Sequence, residues 1–336
     1  MSRQARLDAP GALHHIMVRG INKANIFDDN QDKERFLERL GQNVKDGDCS
    51  VFAWVLMDNH VHILFKSGNH GISAVMRKLL TWYAQYYNRR HKRSGHLFEN
   101  RYKSILCDED SYLIALVRYI HLNPIRANTI KTIEELDNYI FCGHRAIIGK
   151  AKHSWMNPDY VLLQFGSTRR KSLSEYRKFM LEGIGLGRQS ELTGGGLLRS
   201  LGGWSQVIAR RRIGMKDAGD ERILGSSNFV HAVLKETEER ELRQLKLKRS
   251  GMTLLKIIDQ ECDKTGISPM EVMNGVRRRV VSRLRAVIAS RGRAELGLSS
   301  AEMARHLGVA STSISRLFGN KDVKAIRCLG INVPCS

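Results

Sequence analysis

The sequence predicts an α+β fold: an antiparallel sheet with helices on one face, followed by a mainly α-helical and strongly basic C-terminal region. Three observations carry this prediction. Short β-branched and aromatic runs alternate with helical apolar stripes over roughly residues 10–125. The segment 183–203 holds eight glycines and reads as a flexible junction. Beyond it the pattern is helical, and residues 274–293 alone carry seven arginines among Val, Leu, Ile and Ala.

The elements follow in order. Residues 12–20, ALHHIMVRG, read as a first strand ending at Gly20. Asp28, Asp29 and Asn30 precede a helix with Phe36, Leu37 and Leu40 at helical spacing. The turn signal KDGD at 45–48 leads into the strand CSVFAWVLM at 49–57, and Asp58–Asn59 connects it tightly to HVHILF at 60–65. Ile72, Val75, Met76, Leu79, Tyr83, Tyr86 and Tyr87 then form a helical stripe. After the basic loop 89–93 comes a short strand near 102–107. Asp108, Asp110 or Ser111 caps a helix over about 111–122, which Pro124 stops. The order β-α-β-β-α-β-α is ferredoxin-like. The expected division is 1–130, a helical extension and Gly-rich linker at 131–203, and a basic helical domain at 204–336.

Composition narrows the function classes. The 336 residues hold 55 Lys+Arg against 34 Asp+Glu, a formal charge of +21. Such an excess points to a polyanionic partner, nucleic acid before an acidic membrane surface, because no Lys-rich amphipathic anchor stands out. No run of about 18 uncharged apolar residues argues for a membrane span. The N-terminal stretch has no apolar signal-peptide core, and the six cysteines form no CxxC pair. A cytoplasmic, nucleoid-associated protein is the expectation.

His60 and His62 are two apart in a strand, so both imidazoles leave one face while Val61, Ile63 and Phe65 leave the other. Such a pair can converge on one divalent ion. H-x-H is also a short, common pattern, equally read as two hydrogen-bonded histidines beside a hairpin. On the helix 111–122, Leu113, Leu116, Val117 and Ile120 form the buried stripe, with Tyr119 and Asn123 at i and i+4 on a neighbouring face. A tyrosine hydroxyl becomes a nucleophile only when activated, and a metal-bound phosphate nearby does this. The alternative is a tyrosine at the core edge and an asparagine that ends the helix. Tyr112 shares nearly the same face, but its i+4 residue is Leu116, which cannot be a ligand.

DNHVHIL at 58–64 followed by RYIHLNPIRA at 118–127 resembles the REP-associated tyrosine transposases, single-tyrosine HUH nucleases of the IS200-like family. HHIMVRGIN at 14–22 and GHLFENRYKS at 95–104 extend the resemblance over nearly all of the first 130 residues. It implies that His60 and His62 bind the metal, that Tyr119 is the nucleophile, and that Asn123 supplies a third ligand. The implied cofactor is Mg²⁺ or Mn²⁺. The implied reaction is cleavage of single-stranded hairpin DNA through a 5′-phosphotyrosine, reversed by the 3′-OH of another strand end, for transposition or recombination. Arg19, Arg101 and Lys103 are candidates for phosphate contacts, or else part of a solvated basic surface. His14, His15, His96 and His121 are left as supporting residues.

Residues 299–318 read as a helix-turn-helix. Ser299 or Ser300 caps the first helix, Ala304 is the small residue at the crossing, Gly308–Val309 makes the turn and Ser311 caps the second helix. Ser311, Thr312, Ser313 and Arg316 would face the major groove of duplex DNA, with Arg277, Arg278 and Arg279, and the helix on to Arg285, tracking phosphates. The stretch resembles the DNA-binding helices of bacterial regulators and replication-initiator C-terminal domains; an ordinary αα-hairpin is the plainer reading. A non-catalytic DNA-binding regulator that keeps the nuclease fold is the rival function. A homodimer stays open.

Overall fold

The computed structural model describes residues 7–68, 71–187, 189, 192, 220–311, 313 and 314. The strands are β1 (Leu13–Arg19), β2 (Ser50–Met57), β3 (His60–Lys66), β4 (Lys103–Cys107) and β5 (Ile223–Leu224). The helices of the first part are α1 (Asn30–Asp46), α2 (Ser73–Arg90), α3 (Glu109–His121), α4 (Asn123–Arg126), α5 (Ile133–Asn138), α6 (His144–Ile147), α7 (Pro158–Leu162) and α8 (Arg169–Ile184). Then come α9 (Ser227–Arg249), α10 (Leu254–Thr265), α11 (Pro269–Met273), α12 (Arg279–Leu296) and α13 (Ser300–His306). The chain divides into two compact units, up to Val233 and from Leu234.

The sheet order in the first unit is β2-β3-β1-β4-β5. β1 runs antiparallel to β3 and β4, which is the α+β arrangement the alternation predicts. β5 is an addition: it lies parallel to β4, so the sheet is mixed. The opposite edge is also covered, since Leu56 N–H donates to Phe141 O at 3.0 Å and Gly143 N–H to Trp54 O at 2.9 Å. The β2 edge and the outer side of β4 thus have backbone partners from this chain, which shortens the open template that edge strands present.

Register sets the faces. Arg19 pairs with His60, Met17 with His62 and His15 with Leu64, so these side chains share one face. α3 lies on that face through Tyr119, whose ring sits 5.8 Å from that of His15. Trp54 pairs with Ile63 on the other face and reaches Trp155 at 5.8 Å, which packs against Gly41 of α1. α1 and α2 meet through Phe27, Phe36 and Tyr83, all fully buried. The helices, expected on one face, therefore cover both, because β1 and β3 bury apolar side chains in both directions.

Two boundaries differ from the sequence expectation. Pro124 does not stop the helical path: Leu122 keeps helical angles and α4 follows at once, with Pro124 in its first turn, where a missing N–H costs nothing. Gly183 is not linker. It forms the last turn of α8, and a Cβ there would lie 2.4 Å from Arg118 Cδ, so glycine is what lets α8 approach α3. Residues 131–184 are an integral part of the first core through Leu136, Ile147, Val161, Tyr176 and Met180.

The second unit packs α10, α12 and α13 around Ile257, Ile258, Leu284, Ile288 and Met303. Ser299 caps α13 in a reciprocal capping box with Glu302. Gly308 turns the chain at φ +59°, and a Cβ there would strike Met273 O at 1.9 Å. Of the expected second helix only Ser311, Ser313 and Ile314 are described; Thr312 and Arg316 lie outside the described residues. Arg285 is corrected. It is buried and donates to three backbone carbonyls, so it does not track phosphates. Among the described residues no helix is long and apolar enough to cross a membrane.

Candidate active site

β3 delivers both imidazoles to one face, with ring centroids 5.2 Å apart and planes near perpendicular. Each ring uses Nδ1 inside the protein. Asn59 Nδ2 donates to Lys23 O at 3.0 Å, which turns its Oδ1 toward His60 Nδ1 at 2.6 Å. An amide oxygen only accepts, so His60 carries its proton on Nδ1 and keeps a lone pair on Nε2. His62 Nδ1 lies 2.9 Å from His15 Nε2, and with the proton on His62 the same holds there. This is how metal-ligating histidines are held: the remote nitrogen is fixed and the other is free to coordinate.

The electrostatics keep the pair neutral. Burial, then Arg19, pushes His60 down to about 4. Burial, with His15, His60 and Arg19 adding to it, holds His62 well below the ordinary imidazole value. A neutral imidazole is the ligating form, so near pH 7 no proton has to leave before a cation enters.

α3 places the half-buried Tyr119 against this pair, its ring centroid 5.9 Å from His62. Asn123 Nδ2 donates back to Tyr119 O at 3.1 Å, a bond that leaves its carbonyl oxygen as a potential ligand. Arg126 Nη1 donates to the same carbonyl at 3.1 Å, and its guanidinium lies 5.3 Å from the Tyr119 ring centroid. Neutral ring nitrogens and an amide oxygen are donor types that suit a divalent cation.

Arg19 and Lys103 share the imidazole face, because Met17 pairs with both His62 and Lys103. Two strand spacings put Lys103 about 10 Å from His62. Both cations are exposed, as is Arg101 just before β4. In the second unit Arg277, Arg278 and Arg279 are exposed at the start of α12, with Arg278 donating to Glu271 at 2.8 Å.

Sequence reading missed the roles of Asn59 and Arg126, and left His15 as a supporting residue without identifying its partner. Asn59 had a signal, its adjacency to His60. His15 had none without register, since 47 residues separate it from His62. His14, its neighbour, points to the other face and meets Ser104 Oγ at 3.1 Å. Asp28, Asp32 and His91 also bring ligand atoms within 4.8 Å of one another, but Arg90 already pairs with Asp29 and Asp32, so the negative charge there is met by the protein.

Residues 10–123 match the family model described as IS200-like transposase. Over that region the chain is similar to the IS200-like transposases. The matched span contains His60, His62, Tyr119 and, as its last residue, Asn123. A solved structure of a REP-associated tyrosine transposase bound to a REP hairpin aligns with 47% of this chain and 92% of its own, at 18% identity and a TM-score of 0.37. No curated protein matches the chain.

Proposed function

We propose that the chain is a metal-dependent tyrosine endonuclease and strand-transfer enzyme acting on single-stranded, hairpin-forming DNA. The observation that carries this reading is the placement of the Tyr119 phenol against the His15–His62 pair, with both β3 imidazoles presenting Nε2. His60, His62 and Asn123 would hold a divalent ion, Mg²⁺ or Mn²⁺, which when bound polarises the scissile phosphate. Tyr119 Oη then forms a bond to phosphorus as the P–O3′ bond breaks. The phenolic proton leaves and the departing 3′ oxygen takes one up. The product is a 5′-phosphotyrosine and a 3′-OH, and attack by another 3′-OH reverses the step with no ATP. One ester replaces another, so the protein's work is positioning and charge stabilisation.

Arg19, Arg101 and Lys103 would steer the backbone of the single strand, and the +21 charge makes that capture steep in salt. In the second unit, Arg277, Arg278 and Arg279 with Ser311, Thr312, Ser313 and Arg316 would grip duplex DNA. The test is a labelled hairpin oligonucleotide with Mn²⁺ on a denaturing gel. A protein–DNA adduct lost in Tyr119→Phe supports the enzyme. Binding with no adduct across metals and substrates would make the chain a DNA-binding regulator instead.

A further inference from the structure

α8 grips α3 away from the site, through residues that flank Tyr119. Tyr176, Phe179 and Gly183 lie at i, i+3 and i+7 of α8, and Arg118, His121 and Leu122 at i, i+3 and i+4 on α3. The Arg118 guanidinium stacks 3.9 Å from the Phe179 ring centroid and Nη1 donates to Phe179 O at 3.3 Å. Gly183 leaves room only for its hydrogen: a Cβ would sit 2.4 Å from Arg118 Cδ and 2.8 Å from Leu122 Cδ1.

At the centre of this contact is an ordered polar chain. Asp137 Oδ1 lies 2.9 Å from His144 Nε2, and its other oxygen accepts from Arg177. His144 Nδ1 lies 2.8 Å from the Tyr176 hydroxyl, which lies 3.0 Å from His121 Nδ1. All three rings are fully buried. Donor and acceptor identities allow one order for neutral imidazoles. The carboxylate accepts, so His144 bears its proton on Nε2 and accepts at Nδ1. The Tyr176 hydroxyl donates to His144 and accepts from His121 Nδ1–H. Each group therefore has a single orientation, which makes the chain a rigid strut and not a movable network.

We propose that Tyr176 is a positioning residue for strand cleavage: through His121 and the α8–α3 contact it fixes the rotation of α3, and with it the aim of Tyr119. This rests on the reading of Tyr119 as the nucleophile. In-line attack needs reacting atoms about 3–3.5 Å apart, and an error near 1 Å costs about a hundredfold, so a helix free to roll would lose rate without losing DNA. The 131–184 extension is then a working part of the nuclease.

The test uses the full chain, Mn²⁺ and a 3′-labelled library of hairpin oligonucleotides with randomised single-stranded flanks, so that the label stays with the fragment joined to Tyr119. Tyr176→Phe keeps the ring and removes the hydroxyl. The expected result is adduct formation about tenfold or more slower per folded molecule, with oligonucleotide affinity within twofold of wild type. Gly183→Ala, which pushes α8 off Arg118, should act in the same direction. Tautomer NMR on ¹⁵N-histidine protein should show His121 as the Nδ1–H form in the wild type, losing that preference in Tyr176→Phe. Both variants forming adduct at the wild-type rate per folded molecule would overturn the proposal, as would an Nε2–H tautomer at His121 in the wild type. If neither wild type nor Tyr119→Phe gives any adduct, the nuclease reading fails first and takes the positioning role with it.

Discussion

His62 and Arg285 are both buried basic side chains, one in each unit, and they are satisfied in opposite ways. Arg285 donates from Nε to Val272 O at 2.8 Å, from Nη1 to Val276 O at 2.7 Å and from Nη2 to Glu271 O at 2.9 Å. Those carbonyls lie at or just after the end of the short helix α11, where helix geometry leaves acceptors unmet. The guanidinium thus closes a loop, and none of its three nitrogens is left without a task. His62 uses one nitrogen on His15 and keeps the other for the face where Tyr119 lies. A buried polar group with all its valences used reads as structure, and one with a valence held back reads as a site.

The sharpest way to break that contrast is Tyr119→Phe. It should lower adduct formation by about a thousandfold or more, as removal of a nucleophile does, while oligonucleotide binding persists. Adduct at the wild-type rate would remove Tyr119 from the chemistry. Next in size is Arg285→Met, which leaves three carbonyls without their donor and should destabilise the second unit by about 2–3 kcal/mol. Urea unfolding monitored on that unit reads this, and an unchanged midpoint would refute the loop-closing role.

His15→Ala should weaken Mn²⁺ binding about 10–100-fold by calorimetry, since His62 loses the partner that orients it. An unchanged affinity would mean that His15 merely fills space.

A smaller effect is expected from acid. Burial pushes His14 and His60 each down to about 4, and holds His62, His121 and His144 lower than usual as well. In the unfolded chain these rings titrate near 6.5, so between about 6.5 and 4 the unfolded state binds more protons. Stability of the first unit should be full above about pH 6.5 and fall as the pH drops toward 4. A flat urea midpoint across that range would contradict the burial of these rings.

The smallest expected change is in Arg277→Ala. It should reduce the salt slope of duplex binding by about 1 with adduct formation untouched, whereas Arg285→Met should leave the slope alone. Equal slopes for Arg277→Ala and wild type would take Arg277 off the DNA.

Much of the first unit was legible because its signals are local. The alternation in HVHIL announces the strand and the shared face of His60 and His62, and the stripe Leu113, Leu116, Val117, Ile120 announces α3 with Tyr119 beside it. The cap of α13 was readable to within one residue, Ser299 or Ser300, and the reciprocal bonds with Glu302 settle it on Ser299. Pro124 misled, since a proline that ends one helix also suits the first turn of the next. Gly183 misled for a related reason: glycine marks both linkers and close helix contacts, and only a neighbour such as Arg118 decides which.

By itself the sequence determined the periods, the charge, the shared face of His60 and His62 and the i, i+4 spacing of Tyr119 and Asn123, because these depend on spacings of two to four residues or on composition. Tertiary structure alone decided that His15 backs His62, that Asp137, His144 and Tyr176 reach His121, and that Arg285 turns inward. Those contacts join residues brought together by strand register and helix packing, and neither is written in any short stretch of the chain.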